Sequence, residues 1–142
     1  MKILALLSFL FFVSPSDWGL DIEKAKAEAT SSKKMILINF SGSDWCGPCI
    51  QLKREVFESD AFKKFATDNL VLVRADFPRL KKNQLDKKQT LHNETLAEKY
   101  NQQGKFPLTV LVDSKGKVVR EWDGFQANTQ VFIQEIQDAL KK

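Results

Sequence analysis

Cysteine is scarce in this sequence, and its placement limits what it can do. The 142 residues contain two cysteines, Cys46 and Cys49, separated by two residues. A bridge between residues this close in sequence closes a loop too short to stabilise a fold by much. Structural disulfides in exported proteins usually join distant segments instead. The pair therefore indicates a chemical role rather than a structural one.

Metal ligands are equally few. The sequence has one histidine, His92, which lies in a polar segment. A structural zinc site requires four Cys or His ligands, and Cys46, Cys49 and His92 supply three. We therefore predict no metal site, and we expect His92 to be a surface residue without a role.

A strong charge of either sign is also absent. The chain has 22 Lys and Arg against 18 Asp and Glu, a formal net charge of +4. This imbalance is too weak to indicate a nucleic-acid partner. Five cations nevertheless fall within residues 79–88, namely Arg79, Lys81, Lys82, Lys87 and Lys88. A solvated surface loop is the simpler interpretation of this stretch, and a docking patch for a partner is the alternative.

Long apolar runs are missing except at the start of the chain. Residues 3–13 are almost wholly apolar, follow a lysine and precede the small residues of 14–16. The run has the length of a signal-peptide core and is too short to span a bilayer comfortably. We predict a signal peptide at 1–16 and one exported domain at 17–142, in the periplasm or cell envelope. An uncleaved membrane anchor or a buried N-terminal strand are the alternatives.

Helical and strand patterns alternate through the rest of the chain, beginning with a helix at 22–29. The continuous apolar run at Met35–Phe40 that follows is typical of a strand buried on both faces. Strands separated by helices are expected to pair in parallel under helices on both faces, whereas the last two strands, joined by a short turn, should be antiparallel. We thus predict an α/β fold around a central mixed sheet. The predicted elements are helices at 22–29, 46–68, 90–103 and 128–140, strands at 35–40, 70–76, 108–112 and 117–122, and a polar loop at 77–89.

This order of elements, with Trp45-Cys46-Gly47-Pro48-Cys49 between the first strand and its helix, resembles the thioredoxin fold. The resemblance covers roughly residues 21–142. Phe106-Pro107 fits the family's cis-proline at the start of the strand facing the two cysteines, and Gly124 fits the glycine after the hairpin. Residues 40–46 resemble a bacterial envelope branch of the superfamily.

The motif predicts thiol–disulfide exchange, because a thiolate attacks disulfides. Cys46 lies where a helix begins, so unpaired N–H groups and the helix dipole would stabilise its thiolate. We expect Cys46 to be the exposed attacker and Cys49, one turn later on the same face, to resolve the mixed disulfide. In the family, a Gly47-Pro48 interior resembles the reducing members, and Trp45 would shield the site. No dissociable cofactor is expected, because the sulfurs carry the electrons.

The strand that begins at Pro107 has two interpretations. Proline is tolerated as the first residue of a strand, which would need no further explanation. The resemblance implies instead a cis bond beside Cys46. The backbone of Phe106 would then be free to pair with an extended substrate segment, as in strand addition.

The sequence departs from the family at the buried acid under the resolving cysteine. Asn39 is the nearest polar match in the first strand, and the lysine that partners this acid falls on or near Leu72. An amide cannot take a proton from Cys49. Proton removal is therefore expected to run through water, through Asp44 or through the substrate, although a charge on Asp44 would also oppose a thiolate on Cys46.

These features predict a monomeric protein-disulfide reductase that acts on protein thiols and disulfides. Because the envelope is oxidising, we expect a membrane-bound thiol carrier to supply its electrons. An oxidant or isomerase of the same fold is one alternative, and a non-catalytic binding module that uses the groove at Pro107 is another.

Overall fold

A computed structural model describes residues 17–142 of the chain. The predicted signal peptide, residues 1–16, lies outside the described residues. Within 17–142 no helix combines the length and the hydrophobicity needed to cross a bilayer. The elements, in chain order, are α1 (Ile22–Ser32), β1 (Met35–Ser41), α2 (Gly47–Leu52) continued by a π-helical turn (Lys53–Phe57), α3 (Asp60–Asn69), β2 (Leu70–Asp76), a 3-10 turn (Lys81–Asn83), α4 (Lys87–Tyr100), β3 (Leu108–Val112), β4 (Val118–Asp123) and α5 (Thr129–Leu140).

The four strands form one mixed sheet in the order β2-β1-β3-β4. β1 and β2 are parallel, and β3 and β4 are antiparallel, so the predicted mixed sheet is confirmed. The expectation that β3 would also run parallel is wrong, because it pairs with β1 in the antiparallel sense, with Leu108 opposite Phe40. The connection from β2 is long on both sides of α4, at 77–86 and 101–107, so the chain can enter β3 at the end of the sheet where it left β2.

Helices cover both faces of the sheet, as predicted. Side chains alternate along β1, so Leu37 faces one side while Ile36 and Ile38 face the other. The first core joins the sheet to α2, α3 and α5 and is rich in phenylalanine, whereas the second joins it to α1 and α4. Asn39 lies on the same face as Leu37, which is the side that α2 covers.

Side-chain caps decide where α4 begins and ends. The predicted loop at 77–89 and helix at 90–103 are wrong in their boundaries. The helix begins at Lys87 because the Asp86 carboxylate accepts a hydrogen bond from the Gln89 N–H at 2.7 Å, which satisfies one of the unpaired groups of the first turn. It ends at Tyr100 because the Asn101 side chain turns to bond the backbone of Lys105 instead.

His92 is half-buried and has a structural partner, so the expectation of a surface residue without a role is wrong. Its Nε2 accepts a hydrogen bond from the backbone N–H of Ile22 at 3.0 Å. That N–H belongs to the first turn of α1, where no backbone partner exists. The contact joins α4 to the start of α1 across 70 residues of sequence.

Candidate active site

The motif Trp45–Cys49 lies where β1 ends and α2 begins. The Gly42 carbonyl closes the intervening loop by accepting hydrogen bonds from the N–H groups of Trp45 and Cys46, at 3.3 and 2.9 Å. Cys46 is the N-cap of α2 and has an extended backbone. Pro48 falls in the first turn, where its missing N–H removes no helical hydrogen bond. The chain therefore presents both cysteines at the start of one helix.

Cys46 and Cys49 are joined by a disulfide, with their Cα atoms 5.2 Å apart. Backbone donors face both sulfurs. Cys46 Sγ accepts from the Cys49 N–H at 3.3 Å, and Cys49 Sγ accepts from the Gly42 N–H at 3.5 Å. Donors of this kind at a helix N-terminus stabilise negative charge on sulfur.

Neither cysteine is exposed in the disulfide form. Cys46 is 5% and Cys49 3% exposed, so the expectation of an exposed Cys46 is wrong for this state. Each sulfur is turned toward the other and toward a backbone N–H, which leaves little surface for solvent. Gly47 and Pro48, by contrast, are exposed, so a partner that approaches the disulfide meets these two residues.

Trp45 forms a wall of the site through three different contacts. Its Nε1 donates to the Phe77 carbonyl at 2.7 Å, its ring meets that of Phe106 edge-on at 5.4 Å, and the Arg79 guanidinium lies 3.7 Å from the ring centroid. Gly42 makes this placement possible, because a Cβ there would come within 2.3 Å of the indole. The motif includes neither Gly42 nor Arg79. In the sequence, the close approach of Gly42 to Trp45 is indicated only by the turn-forming residues around Gly42.

The segment Phe106-Pro107 lies at the same end of the sheet. The peptide bond between the two residues is cis, and the next residue, Leu108, pairs with Phe40 near the end of β1. The Pro107 carbonyl accepts from the Gly124 N–H at 2.9 Å. Within the described part of the chain, neither backbone polar group of Phe106 has a hydrogen-bond partner. An incoming strand could therefore pair with Phe106.

Asn39 occupies the buried position below α2. It is 3% exposed, and its Nδ2 donates to Thr109 Oγ1 at 3.2 Å across the β1–β3 pair. An amide that donates to a hydroxyl has no ionisable proton to exchange with a thiol. The sequence-based expectation that this position lacks an acid thus holds in the fold.

The residue that pairs with Asn39 in β2 is Arg74, two residues after Leu72, on or near which the family's partner cation was expected. Leu72 pairs with Leu37, because β1 and β2 begin together at Met35 and Leu70. The Arg74 guanidinium lies over the Trp18 ring at 4.6 Å. Among residues 17–142 no hydrogen bond joins Arg74 to Asn39, so the family's acid–cation pair has no counterpart here.

Asp44 is held by the following loop and is a poor candidate for proton transfer. Its carboxylate accepts hydrogen bonds from the N–H groups of Arg79 and Leu80, both at 2.9 Å, and from Asn83 Nδ2 at 3.0 Å. The bond from the Arg79 backbone is the main cause that lowers the pKa of this carboxyl. These bonds occupy the carboxylate that the sequence offered as one of three acceptors for the Cys49 proton, and they give Asp44 a structural role.

The two cysteine sulfurs are the reactive groups that the fold places together. Among residues 17–142 no three His, Cys, Asp or Glu side chains lie close enough to hold a metal ion. Two thiols at one helix start, beside an unpaired strand end, are suited to disulfide exchange. A family model described as thioredoxin-like matches residues 17–114 of this chain. The chain belongs to the thioredoxin-like family.

Relatives of this thioredoxin-like protein include a disulfide bond reductase, DsbH, of Chlamydia pneumoniae. That protein is 31% identical over 118 residues, which are 83% of this chain and 69% of the relative. A solved structure of a DsbH oxidoreductase matches with a TM-score of 0.81 at 27% identity, over 99% of this chain and 95% of that one. A thioredoxin from Thermus thermophilus, at a TM-score of 0.67 and 17% identity, shares the fold over 87% of this chain and 86% of its own. The predicted thioredoxin-like fold is confirmed, and the chain is a homologue of a disulfide-bond oxidoreductase with a C-x-x-C disulfide.

Proposed function

We propose that this thioredoxin-like protein reduces disulfide bonds in exported proteins. The observation that carries the proposal is the Cys46–Cys49 pair at the start of α2, beside the unpaired backbone of Phe106. The reducing direction is supported by the Gly47-Pro48 interior of the motif and by the reductase named among its relatives. The reaction needs no dissociable cofactor, because the two thiols supply both electrons.

The reaction proceeds through two exchanges of sulfur partners. The thiolate of Cys46 attacks one sulfur of the substrate disulfide, and the other substrate sulfur leaves as a thiolate that takes up a proton. The thiolate of Cys49 then attacks Cys46 Sγ and expels the second substrate sulfur. Two substrate thiols and the Cys46–Cys49 disulfide result, so two electrons pass to the substrate.

The roles of the two cysteines follow from their surroundings. Cys46 caps α2 and lies next to Gly47 and Pro48, which are exposed and open to a partner. Cys49 lies inside the helix, and the loop residue Gly42 donates to its sulfur. An external disulfide therefore reaches Cys46 first, and Cys49 is placed to attack the mixed disulfide from within.

Substrate binding is assigned to Phe106 and Pro107. An extended segment that flanks the substrate cysteine would pair with the free N–H and carbonyl of Phe106, in the manner of an added strand. Main-chain pairing depends little on the side chains of the substrate, which suits a reductase that acts on several proteins. Trp45 and Phe106 would supply apolar contact beside the sulfurs.

Each turnover leaves the protein oxidised, so a reductant must restore the two thiols. The predicted leader directs the chain to the envelope, and a membrane-bound thiol carrier is the proposed donor for a monomeric protein there. Fractionation of cells that express the full chain should place the mature protein, shortened near residue 16, outside the cytoplasm. Recovery of the unshortened chain in the cytoplasm would contradict this location.

The reduction potential decides between the two directions of exchange. We expect a value near that of thioredoxin, about −270 mV, rather than that of a strong oxidant, about −120 mV. Equilibration with glutathione or with a protein of known potential, followed by quantification of the thiol form, measures it. A value close to the oxidant's would show that the protein forms disulfides, and the reductase proposal would then fail.

Replacement of Cys49 by serine should trap the substrate. Serine cannot expel a sulfur from Cys46, so the mixed disulfide should accumulate to most of the protein under non-reducing conditions. Mass spectrometry of the trapped species, before and after dithiothreitol, identifies the partner and the bonded cysteine. The Cys46→Ser protein is the matched control and should trap nothing. Equal trapping by both variants would contradict the assigned order of attack.

The amide at position 39 predicts a slow second step, because it cannot accept the proton of Cys49. In the Asn39→Asp variant, a buried carboxylate could accept the Cys49 proton, and general bases typically accelerate proton transfer by about 10²–10⁴-fold. We expect resolution of the mixed disulfide to become at least about tenfold faster once that carboxyl ionises. Single-turnover release of a fluorescent thiol measures the rate, with Asn39→Thr as a control that has no base. An unchanged rate at every pH would contradict the idea.

A further inference from the structure

A segment of unpaired cations begins at Arg79, which lies against Trp45, the residue before Cys46. We define the basic segment as residues 79–88, which carry five cationic side chains and one carboxylate, that of Asp86. Within the described residues, none of the five cations forms an ion pair. The Asp86 carboxylate serves as the cap of α4. The positive charge of the basic segment is therefore not neutralised inside the fold.

The basic segment is fixed to the redox motif rather than free to move away from it. Asp44, two residues before Cys46, holds its first part through the three hydrogen bonds to Arg79, Leu80 and Asn83. Gln84 Nε2 adds a bond to the Pro78 carbonyl at 3.1 Å. Because Asp44 lies two residues before Cys46, these bonds hold the start of the basic segment, residues 79–83, close to the redox motif.

An aromatic cleft lies between Arg79 of the basic segment and Phe106, the residue proposed to pair with the substrate. Trp45, Phe77, Arg79, Gly104 and Phe106 line this open cleft of about 630 Å³. The Phe106 ring meets the Phe77 ring edge-on at 5.4 Å, as it meets Trp45. The Arg79 guanidinium lies over the Trp45 ring, 3.7 Å from its centroid, and its N–H groups have no acceptor among residues 17–142. A guanidinium in this state is suited to bind a carboxylate with two hydrogen bonds.

We propose that the basic segment and the aromatic cleft dock an acidic segment of the protein whose disulfide Cys46 attacks. The inference rests on the proposed function, since it names the partner chemistry of that site. Aspartate or glutamate side chains near the substrate cysteine would pair with Arg79 and with the lysines at 81 and 82, while the strand beside the cysteine pairs with Phe106. Protein is the partner because the cations adjoin a site for main-chain pairing. Charge complementarity would raise the rate of encounter and favour acidic over basic substrates.

Two peptide disulfides that differ in flanking charge test the proposal. Both have the same residues around the cystine, and one carries a run of glutamates where the other carries lysines. We expect kcat/KM to be at least about tenfold higher for the acidic peptide at low salt. The preference should largely vanish near 1 M salt, where the Debye length is about 3 Å. Equal values for the two peptides would overturn the proposal.

Charge reversal locates the preference on the protein. The double variant Lys81→Glu/Lys82→Glu should lose the preference for the acidic peptide. The matched control is Lys115→Glu/Lys117→Glu, in the turn between β3 and β4, which changes the charge equally at the opposite end of the sheet. The control should keep the full preference. Loss of the preference in both variants would show that net charge, not the basic segment, is responsible.

Three further measurements separate this inference from the proposed function and from binding to a membrane surface. Hydroxyethyl disulfide is uncharged, and its reduction by the wild-type protein tests the proposed function alone. If no disulfide is reduced, binding of a fluorescent acidic peptide to the Cys46→Ser protein, with and without Lys81→Glu/Lys82→Glu, still tests docking.

Vesicles of anionic lipid test whether the basic segment binds a membrane surface instead. If the double variant loses vesicle binding but keeps the peptide preference, the basic segment serves a membrane surface and the proposal is wrong.

Discussion

Replacement of Cys46 by serine is expected to lower the rate of insulin disulfide reduction by at least about a thousandfold, as the loss of a covalent nucleophile does in other enzymes. A serine hydroxyl is not ionised near neutral pH and forms no stable bond to sulfur. The second cysteine cannot substitute, because its sulfur lies inside the helix under Gly42. Turbidity of the reduced insulin chains under a fixed supply of dithiothreitol measures the rate.

The same substitution should leave the fold intact, which makes the loss interpretable. Serine is among the preferred N-cap residues of helices, so its hydroxyl would accept the Cys49 N–H that Cys46 Sγ accepts at 3.3 Å. Loss of the disulfide removes a bridge across a very short loop, which contributes little to stability. The far-ultraviolet circular dichroism spectrum and the unfolding midpoint should match those of the reduced wild-type protein. A Cys46→Ser protein that still reduced insulin would contradict the assignment of the nucleophile.

Local patterns predicted the parts of this fold that depend on neighbouring residues. The apolar run at Met35–Phe40 became the central strand, and the turn after Val112 produced the antiparallel hairpin. The start of α4 was missed because Lys87 and the residues after it are polar. The cap of Asp86 sets that boundary, and capping by a single carboxylate competes poorly with hydrophobic periodicity in a sequence argument. Local signals also say little about the direction in which a strand enters a sheet, as β3 shows.

Within the site, the sequence identified the reacting atoms but not what surrounds them. A five-residue motif was enough to locate both sulfurs at a helix start. The contacts of Asp44 with Arg79 and Asn83 span 35 and 39 residues, and no local pattern reports a pairing over that distance. The same holds for His92, whose partner at the start of α1 is 70 residues away. Polar residues with distant partners were therefore the ones whose contacts the sequence did not predict.

The role of Asp44 alters how the basic segment should be understood. A carboxylate two residues before the nucleophile would ordinarily disfavour a thiolate there. Here two backbone N–H groups and an amide from the segment that begins at Arg79 donate hydrogen bonds to this carboxylate. The Asp44 carboxylate thus ties the start of the basic segment to the loop before Cys46. This arrangement connects the basic segment to the redox site. For this reason we expect the charge of a partner to affect its rate of reduction.

Replacement of Phe132 by alanine should destabilise the fold by about 3–5 kcal/mol, the usual cost of emptying a buried aromatic site. Phe132 lies on α5 and is 1% exposed. Its ring contacts those of Trp122 at 5.2 Å, Phe62 at 6.3 Å and Phe57 at 6.4 Å. These neighbours come from β4, α3 and the π-helical turn after α2, so one cavity would weaken the contacts among three elements. Such a loss lowers the ratio of folded to unfolded protein by more than about a hundredfold.

The neighbouring position provides the control, because Val131 on the same helix is 53% exposed. Val131→Ala should change the free energy of unfolding by no more than about 0.5 kcal/mol. Urea unfolding of both variants, followed by tryptophan fluorescence, gives the two values, and a cost below about 1 kcal/mol for Phe132→Ala would show that this core is not tightly packed. Because the sulfurs lie at the start of α2 and not in this aromatic cluster, the protein that remains folded should keep its rate of disulfide exchange. The stability of the domain and the chemistry of its cysteines are then separable properties, the first set by the core beneath α2 and the second by the few residues around its first turn.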